Sequence, residues 1–165
     1  MSDSFQLRTL DPEKDEELFK QGYGWLLQKP SWFQYLDGVA GEITGTFSLE
    51  KYLNSTKDPN EYNVGLFNGR LQAIYTIQDQ KDGSMQVHVN TCEGVDQLAL
   101  VEGAVHLRKW LFDHGATSVF GWLASVNRPF RRFAERAGFF YCGVRVYRGS
   151  LNDKPVAWLR YEASR

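Results

Sequence analysis

Cysteine is scarce in this chain of 165 residues: there are two, Cys92 and Cys142, far apart and in no CxxC arrangement. The three histidines, His88, His106 and His114, form neither an HxxxH nor an HExxH pattern. No Cys/His spacing suits a metal, so no metal site is expected. There is no apolar run of 18 residues, so no transmembrane helix and no membrane partner are expected. The polar, acidic start Met1-Ser2-Asp3-Ser4 lacks the basic and apolar segments of a secretory signal. These absences make a reduced, cytoplasmic protein the expectation. No internal repeat and no long Gly/Ser or Pro-rich linker divides the chain, so residues 1–165 are read as a single domain. A charge of one sign is also missing: 19 Lys+Arg against 20 Asp+Glu give a formal charge of -1. That excludes a uniformly basic nucleic-acid binder.

Aromatic surface is plentiful, with five Trp, eight Tyr and eleven Phe. It is enough for a core without disulfide or metal staples. The balanced charge conceals two unlike parts. Residues 1–63 carry six basic and eleven acidic residues, whereas after Leu123 nine basic residues face three acidic ones. This split suits an anionic ligand toward the C-terminal end and a cationic acceptor toward the first helix, or self-association as a homodimer.

Along the chain, Phe5–Leu10 alternates as a strand, and Asp11-Pro12-Glu13 reads as the capped start of a helix running to Leu27. Residues 30–47 are irregular and rich in aromatics. Ser48 caps a short helix, followed by strands at Tyr62–Phe67, Leu71–Gln78 and Ser84–Asn90, with Asn68-Gly69 and Lys81-Asp82-Gly83 as turns. In the last of these, Met85, Val87 and Val89 share one face and Gln86, His88 and Asn90 the other. A long helix spans about Gln97–Asp113, with Leu98, Val101, Val105 and Phe112 as its expected apolar face and Gly115 as a left-handed cap. Ser118–Leu123 is a strand. Asn127 caps a last helix with Pro129 in its first turn, and two strands, Phe139–Arg148 and Val156–Tyr161, finish the chain.

The stretch Asn127-Arg-Pro-Phe-Arg-Arg-Phe-Ala-Glu-Arg-Ala-Gly138-Phe139 follows directly on a strand and places Gly-Phe eleven residues after Asn. With the element order, this spacing resembles the Gcn5-related N-acetyltransferase (GNAT) superfamily. The resemblance implies an α/β (α+β) fold, a mixed central sheet of about seven strands flanked by about four helices. It implies acetyl-CoA, or another short acyl-CoA, as cofactor. The pantetheine arm would pair like an added strand with the backbone of Val87 and Val89, and Asn127 and Arg128 would meet it from the last helix. The pyrophosphate would fall on Gly94, Val95, Asp96 and Gln97, ahead of the long helix. Two positions depart from the family pattern. Asp96 and Leu98 stand where the phosphate loop carries small residues, and Ala134 stands where many members carry a Tyr general acid. Glu93 and Asp96 place negative charge beside the anion site.

Of the residues with chemistry, His88 is the candidate base for an amine nucleophile, alone or through water, and Tyr141 the substitute acid. Against these stand plainer roles, a hydrogen-bonded strand histidine and a helix-capping Asn127. Arg128, Arg132 and Arg136 form a basic stripe, with Arg131 set to pair with Glu135. Trp25, Trp32, Phe33 and Tyr35 are candidates for an aromatic acceptor wall. Cys92 is expected to be buried and inert, and Ser125 lacks a nucleophile-elbow pattern. The expected activity is acyl transfer from acetyl-CoA to a small-molecule or protein amine by direct attack. The rival is a non-catalytic GNAT-fold binding or virion assembly protein, in the style of divergent phage-encoded members, which the acidic loop and Ala134 favour.

Overall fold

The structure is a computed structural model that describes residues 5–28, 48–151, 153–163 and 165. The elements run β1 (Gln6–Leu10), α1 (Glu16–Gln28), α2 (Leu49–Ser55), β2 (Glu61–Asn68), β3 (Arg70–Asp79), β4 (Ser84–Thr91), α3 (Gln97–Asp113), β5 (Ser118–Ala124), α4 (Arg128–Arg136), β6 (Phe139–Leu151) and β7 (Lys154–Ala163). The strands form one seven-stranded mixed sheet in the order β1-β2-β3-β4-β5-β7-β6. The β4–β5 pairing is parallel, whereas β1–β2, β5–β7 and β6–β7 are antiparallel. The expected α/β class, the seven strands and four helices are present among the described residues. The chain groups into two compact units, one of residues up to Ile77 with His88–Asp96, the other of Gln78–Val87 with Gln97–Arg165.

In the first unit, Leu10, Phe19, Leu71 and Ile74 make a core, against which Leu18, Trp25, Tyr52, Leu53 and Phe67 pack half-buried. Each fully buried side chain of this size contributes about 1.5–3 kcal/mol. The helix expected from Asp11 begins later, at Glu16. Asp11 Oδ1 accepts from the amides of Glu13 and Lys14, both at 2.9 Å, and its own amide donates to Asp15 Oδ2 at 2.8 Å. These side-chain bonds close a turn before the regular helix starts. They also hold the Asp11 carboxyl below its ordinary pKa. Ser48 caps α2 as expected, accepting from the Lys51 amide. Trp32, Phe33 and Tyr35 lie outside the described residues.

In the second unit, Leu123, Ala134, Leu159 and Tyr161 form the core beneath α4, with Phe130, Phe139 and Ala157 packed on it. The buried side of α3 shares Phe112 with the expected apolar face and is otherwise rotated from it. It consists of Ala99, Leu100, Gly103, Ala104, Leu107, Leu111 and Phe112, while Leu98 is 52% exposed. Ala99, Gly103 and Ala104 let the helix approach its support, and Leu100, Leu107 and Leu111 fill the same side, which the expectation built on Leu98, Val101 and Val105 did not include. The Arg131–Glu135 pair is also replaced. Arg131 turns inward, its Nε donating to Tyr161 Oη at 3.0 Å and its Nη1 to Ser125 O at 3.2 Å. Two fixed acceptors at the β5–α4 corner offer the guanidinium better-defined partners than an exposed glutamate on the next turn.

Candidate active site

Within the second unit, β4 and β5 keep only three paired positions, Ser84–Gln86 with Ser118–Phe120. Beyond these, β4 runs on to Thr91 and β5 to Ala124. Gly121 is the first residue of β5 past the register, and a Cβ there would lie 3.1 Å from Val87 O. The Val87 carbonyl therefore faces β5 where the pairing stops, and glycine is the residue that lets it do so.

β5 leads into α4 through a tight corner. Asn127 caps the helix, its side chain accepting from the Phe130 amide at 3.3 Å, and Pro129 sits in the first turn. Arg128, Arg132 and Arg136 are exposed on α4, as the stripe predicted. At the other end Gly138 has φ +91°, and a Cβ on it would overlap Arg108 Nη1. That guanidinium reaches from α3 to donate to Gly138 O at 3.4 Å. The glycine of the Gly-Phe pair thus answers both to a left-handed backbone and to a half-buried arginine. Ala134 is buried among Leu123, Leu159 and Tyr161, so the helix position that carries a phenol in the resembled family is filled here by core packing. Tyr141 is 39% exposed, its Oη accepts from Arg145 Nε at 3.2 Å, and its ring lies 6.2 Å from that of Tyr161.

Within the first unit, His88 and Val89 continue β4. His88 reaches solvent, yet the protein around the ring disfavours its charged form and lowers its pKa. Its access to water limits the size of that effect, and the direction leaves the imidazole neutral at pH 7. Gly94 has φ +69° in the turn after β4. Asp96 is tied from two sides: its Oδ2 accepts from Asn68 Nδ2 at 3.2 Å, and its amide donates to Gln72 Oε1 at 3.3 Å. Gln72 is itself buried and also receives a long contact from the Cys92 thiol at 3.8 Å. Cys92 is buried and Cys142 exposed, both as free thiols. Gln97 opens α3 in the second unit.

A further cluster in the first unit went unnoticed in the sequence. Asn90 Nδ2 donates to Gly22 O at 2.8 Å, while its Oδ1 is buried with no hydrogen-bond partner. Burial first, then the Glu61 charge, pushes the Tyr52 phenol up to about 12. A Cβ on Gly22 would meet Ile74 Cδ1 at 2.9 Å and Tyr52 Oη at 3.0 Å. The signal available was Gly22 itself, since a glycine inside a helical pattern usually has a packing reason.

This is the fold of the GNAT N-acetyltransferases. No protein-family model matches the chain, and no curated protein matches it in sequence. Solved structures match it over nearly its whole length. The ribosomal-protein-S18-alanine N-acetyltransferase of Escherichia coli aligns with a TM-score of 0.69 at 14% identity, covering 97% of this chain and 93% of its own. A chimera of the Vibrio cholerae spermidine N-acetyltransferase gives 0.69 at 14%, covering 96% and 95%. A Salmonella typhimurium structure with its cofactor acetyl-CoA gives 0.68 at 11%, covering 96% and 92%. Identities this low establish the fold, and the different names of these proteins single out no acceptor. No described helix is long and apolar enough to cross a membrane.

Proposed function

We propose that the chain transfers an acyl group from acetyl-CoA, or another short acyl-CoA, to an amine. The observation that carries this reading is the end of the β4–β5 register at Gln86 and Phe120, with Gly121 flat against the Val87 carbonyl, in a fold shared with N-acetyltransferases. The backbone of Val87 and Val89 would hold the pantetheine arm, with Asn127 Nδ2, which the cap does not use, as a donor to it. Arg128 stands at the same helix start. The turn Gly94-Val95-Asp96-Gln97 fits the pyrophosphate less well, because Asn68 fixes the Asp96 carboxylate in place and Gln72 holds its backbone amide.

When bound, the thioester supplies an activated acyl carbon. The amine attacks that carbon, the C–N bond forms and the C–S bond breaks. The Val89 amide is the proposed donor to the oxygen that gains charge. His88, neutral at pH 7, takes the amine proton directly or through water, and Tyr141 is the proposed donor to the leaving sulfur. The buried Asn90 Oδ1 and the nearby Glu61 charge suit a cationic amine, which brings N–H donors. The competing reading, a GNAT-fold binding or assembly module, has the tied Asp96 and the buried Ala134 in its favour.

Thermal unfolding with millimolar acetyl-CoA separates the two. Binding with a Kd near 10 μM raises stability by about 2.7 kcal/mol at 1 mM ligand. Asn127→Ala should reduce the ligand-dependent part of the rise. No shift with acetyl-CoA, longer acyl-CoAs or free CoA would leave the binding module as the reading.

A further inference from the structure

We infer that the amine acceptor carries a carboxylate and that Arg160 on β7 holds it. This rests on the acyltransferase reading and names the chemical class of its acceptor. The residues concerned all lie in the second unit. The register sets Phe120 opposite Glu162, Trp122 opposite Arg160 and Ala124 opposite Trp158. Side chains directly opposite each other share a face, so these residues project from one side of β5 and β7. The alternate residues Leu123, Leu159 and Tyr161 project from the other side, beneath α4. Arg160 therefore stands on the face turned away from that helix.

The Arg160 guanidinium carbon lies 3.9 Å from the centre of the Phe120 ring, which is stacking contact. Phe120 is 4% exposed, whereas the Arg160 side chain keeps 27% of its surface. The ring is covered, and the guanidinium above it still reaches water. Glu162 Oε1 lies 2.8 Å from Arg160 Nε, yet the buried Nε–H is directed at no acceptor. The pair is thus close without a hydrogen bond. Among the described residues, neither terminal nitrogen of Arg160 donates to an acceptor. Asp82 is no such acceptor, since it takes the Ser84 amide and hydroxyl and meets Arg160 only through its charge. What remains is a planar fork on an aromatic floor, which matches the two oxygens of a carboxylate.

The surroundings narrow the ligand further. Asp82 and Glu162 disfavour an isolated anion beside Arg160 and favour a molecule that also bears an ammonium. Trp122 and Trp158 are half-buried on the same face, and Trp158 is fixed by donating from Nε1 to Arg148 O at 3.1 Å. Their indoles offer apolar contact to a side chain. Trp122 is also the second residue of β5 past its pairing with β4, next to Gly121 and the Val87 carbonyl. Neighbouring strands lie about 4.8 Å apart. A small amino acid resting its carboxylate on Arg160 can therefore extend its amine to the proposed acyl carbon. The nitrogen bonds that carbon, the C–S bond breaks, the amine proton passes by way of the base to the sulfur, and the carboxylate is unchanged. A polyamine would set a second cation against Arg160.

The test compares CoA release from acetyl-CoA by the full chain with the common L-amino acids, their amides, the matching decarboxylated amines and spermidine. The preferred amino acid should exceed its own amide by at least about tenfold in kcat/KM. Arg160→Gln should abolish that preference, and Arg160→Lys, which keeps the charge and loses the fork, should weaken it. Tryptophan fluorescence reads binding without any cofactor. It should respond to the preferred amino acid with half-saturation below about 10 mM, and Arg160→Gln should remove the response. Glu162→Gln should tighten binding by about two- to fivefold, the range of one half-exposed ion pair. A merely structural pair would give no such gain. Amides or spermidine turned over as well as amino acids overturn the inference, as does binding indifferent to Arg160 or no saturable binding by any amino acid. Binding that needs Arg160 in a chain that never releases CoA overturns the acyltransferase reading and leaves the carboxylate site standing. If Arg160→Gln fails to fold, Arg160→Lys and Glu162→Gln decide: opposite shifts in affinity support the site, and parallel or absent shifts refute it.

Discussion

Replacing Gly138 by alanine tests whether the Gly-Phe pair is shaped by Arg108. The backbone there has φ +91°, which costs a residue with a Cβ about 1–2 kcal/mol. The new methyl would also occupy the space of Arg108 Nη1. Displacing that guanidinium breaks its bond to Gly138 O, and its Nε is already buried without a partner. An unsatisfied buried donor adds roughly 1–3 kcal/mol. The total, about 2–5 kcal/mol, corresponds to a fall in Tm of roughly 5–15 °C for a chain of this size. Arg108→Met separates the parts in a double-mutant cycle read by calorimetry or denaturant unfolding. The shorter, flexible side chain can yield to the methyl, so Gly138→Ala should cost at least about 1 kcal/mol less beside it. A Gly138→Ala cost within about 0.5 kcal/mol of zero refutes both parts. An equal cost in both backgrounds leaves only backbone strain and refutes the role of Arg108.

Restoring the missing phenol by Ala134→Tyr should not create an acid. The position is 6% exposed and packed against Leu123, Leu159 and Tyr161, so overpacking should cost about 1–3 kcal/mol or more, seen as a lower denaturant midpoint. In the proposed reaction, the acyl-transfer rate should fall on its acidic side with a midpoint below 6.5, because burial lowers the His88 pKa and protonation would remove the proposed base. The same shift means that any stability linked to the neutral ring is present above pH 6.5 and is lost as pH falls through that range. His88→Ala should abolish the limb, and an unchanged profile would remove His88 from the mechanism.

The strands were legible because alternation and turn chemistry agreed, as at Asn68-Gly69, where Gly69 takes φ +73°. The α4 cap and Gly138 were equally plain, since Asn, Pro and Gly each act through the local backbone. What stayed hidden depends on distant partners. Nothing near Arg131 signals that it bridges Ser125 and Tyr161, thirty residues apart from the latter in sequence. The place of β7 between β5 and β6 is similarly a matter of long-range pairing. The face of α3 was read rotated: Phe112 is buried as expected, but its companions are Leu100, Leu107 and Leu111 with Ala99, Gly103 and Ala104, and which side of the helix meets its support depends on distant partners.

In the proposed acyltransferase, the acidic turn ahead of α3 would bear on how tightly a CoA is held more than on whether its acyl group can be transferred. Main-chain contacts to the pantetheine arm do not depend on which side chains the strands carry, whereas a charge near the pyrophosphate acts at the start of α3, where about 0.3–1 kcal/mol is at stake per charge at low salt. Asp96 cannot swing clear cheaply, because Asn68 holds its carboxylate and Gln72 its amide. Asp96→Asn removes the charge and keeps a side-chain oxygen for Asn68. It should therefore tighten CoA by about two- to fivefold, an effect that fades as salt rises toward 0.5 M. Calorimetric titration with CoA and with desulfo-pantetheine lacking the nucleotide distinguishes the causes. A gain confined to CoA locates the repulsion at the phosphates. An equal gain for both ligands would mean that Asp96 shapes the turn and not its field, and no gain for either would separate the acidic turn from cofactor binding altogether.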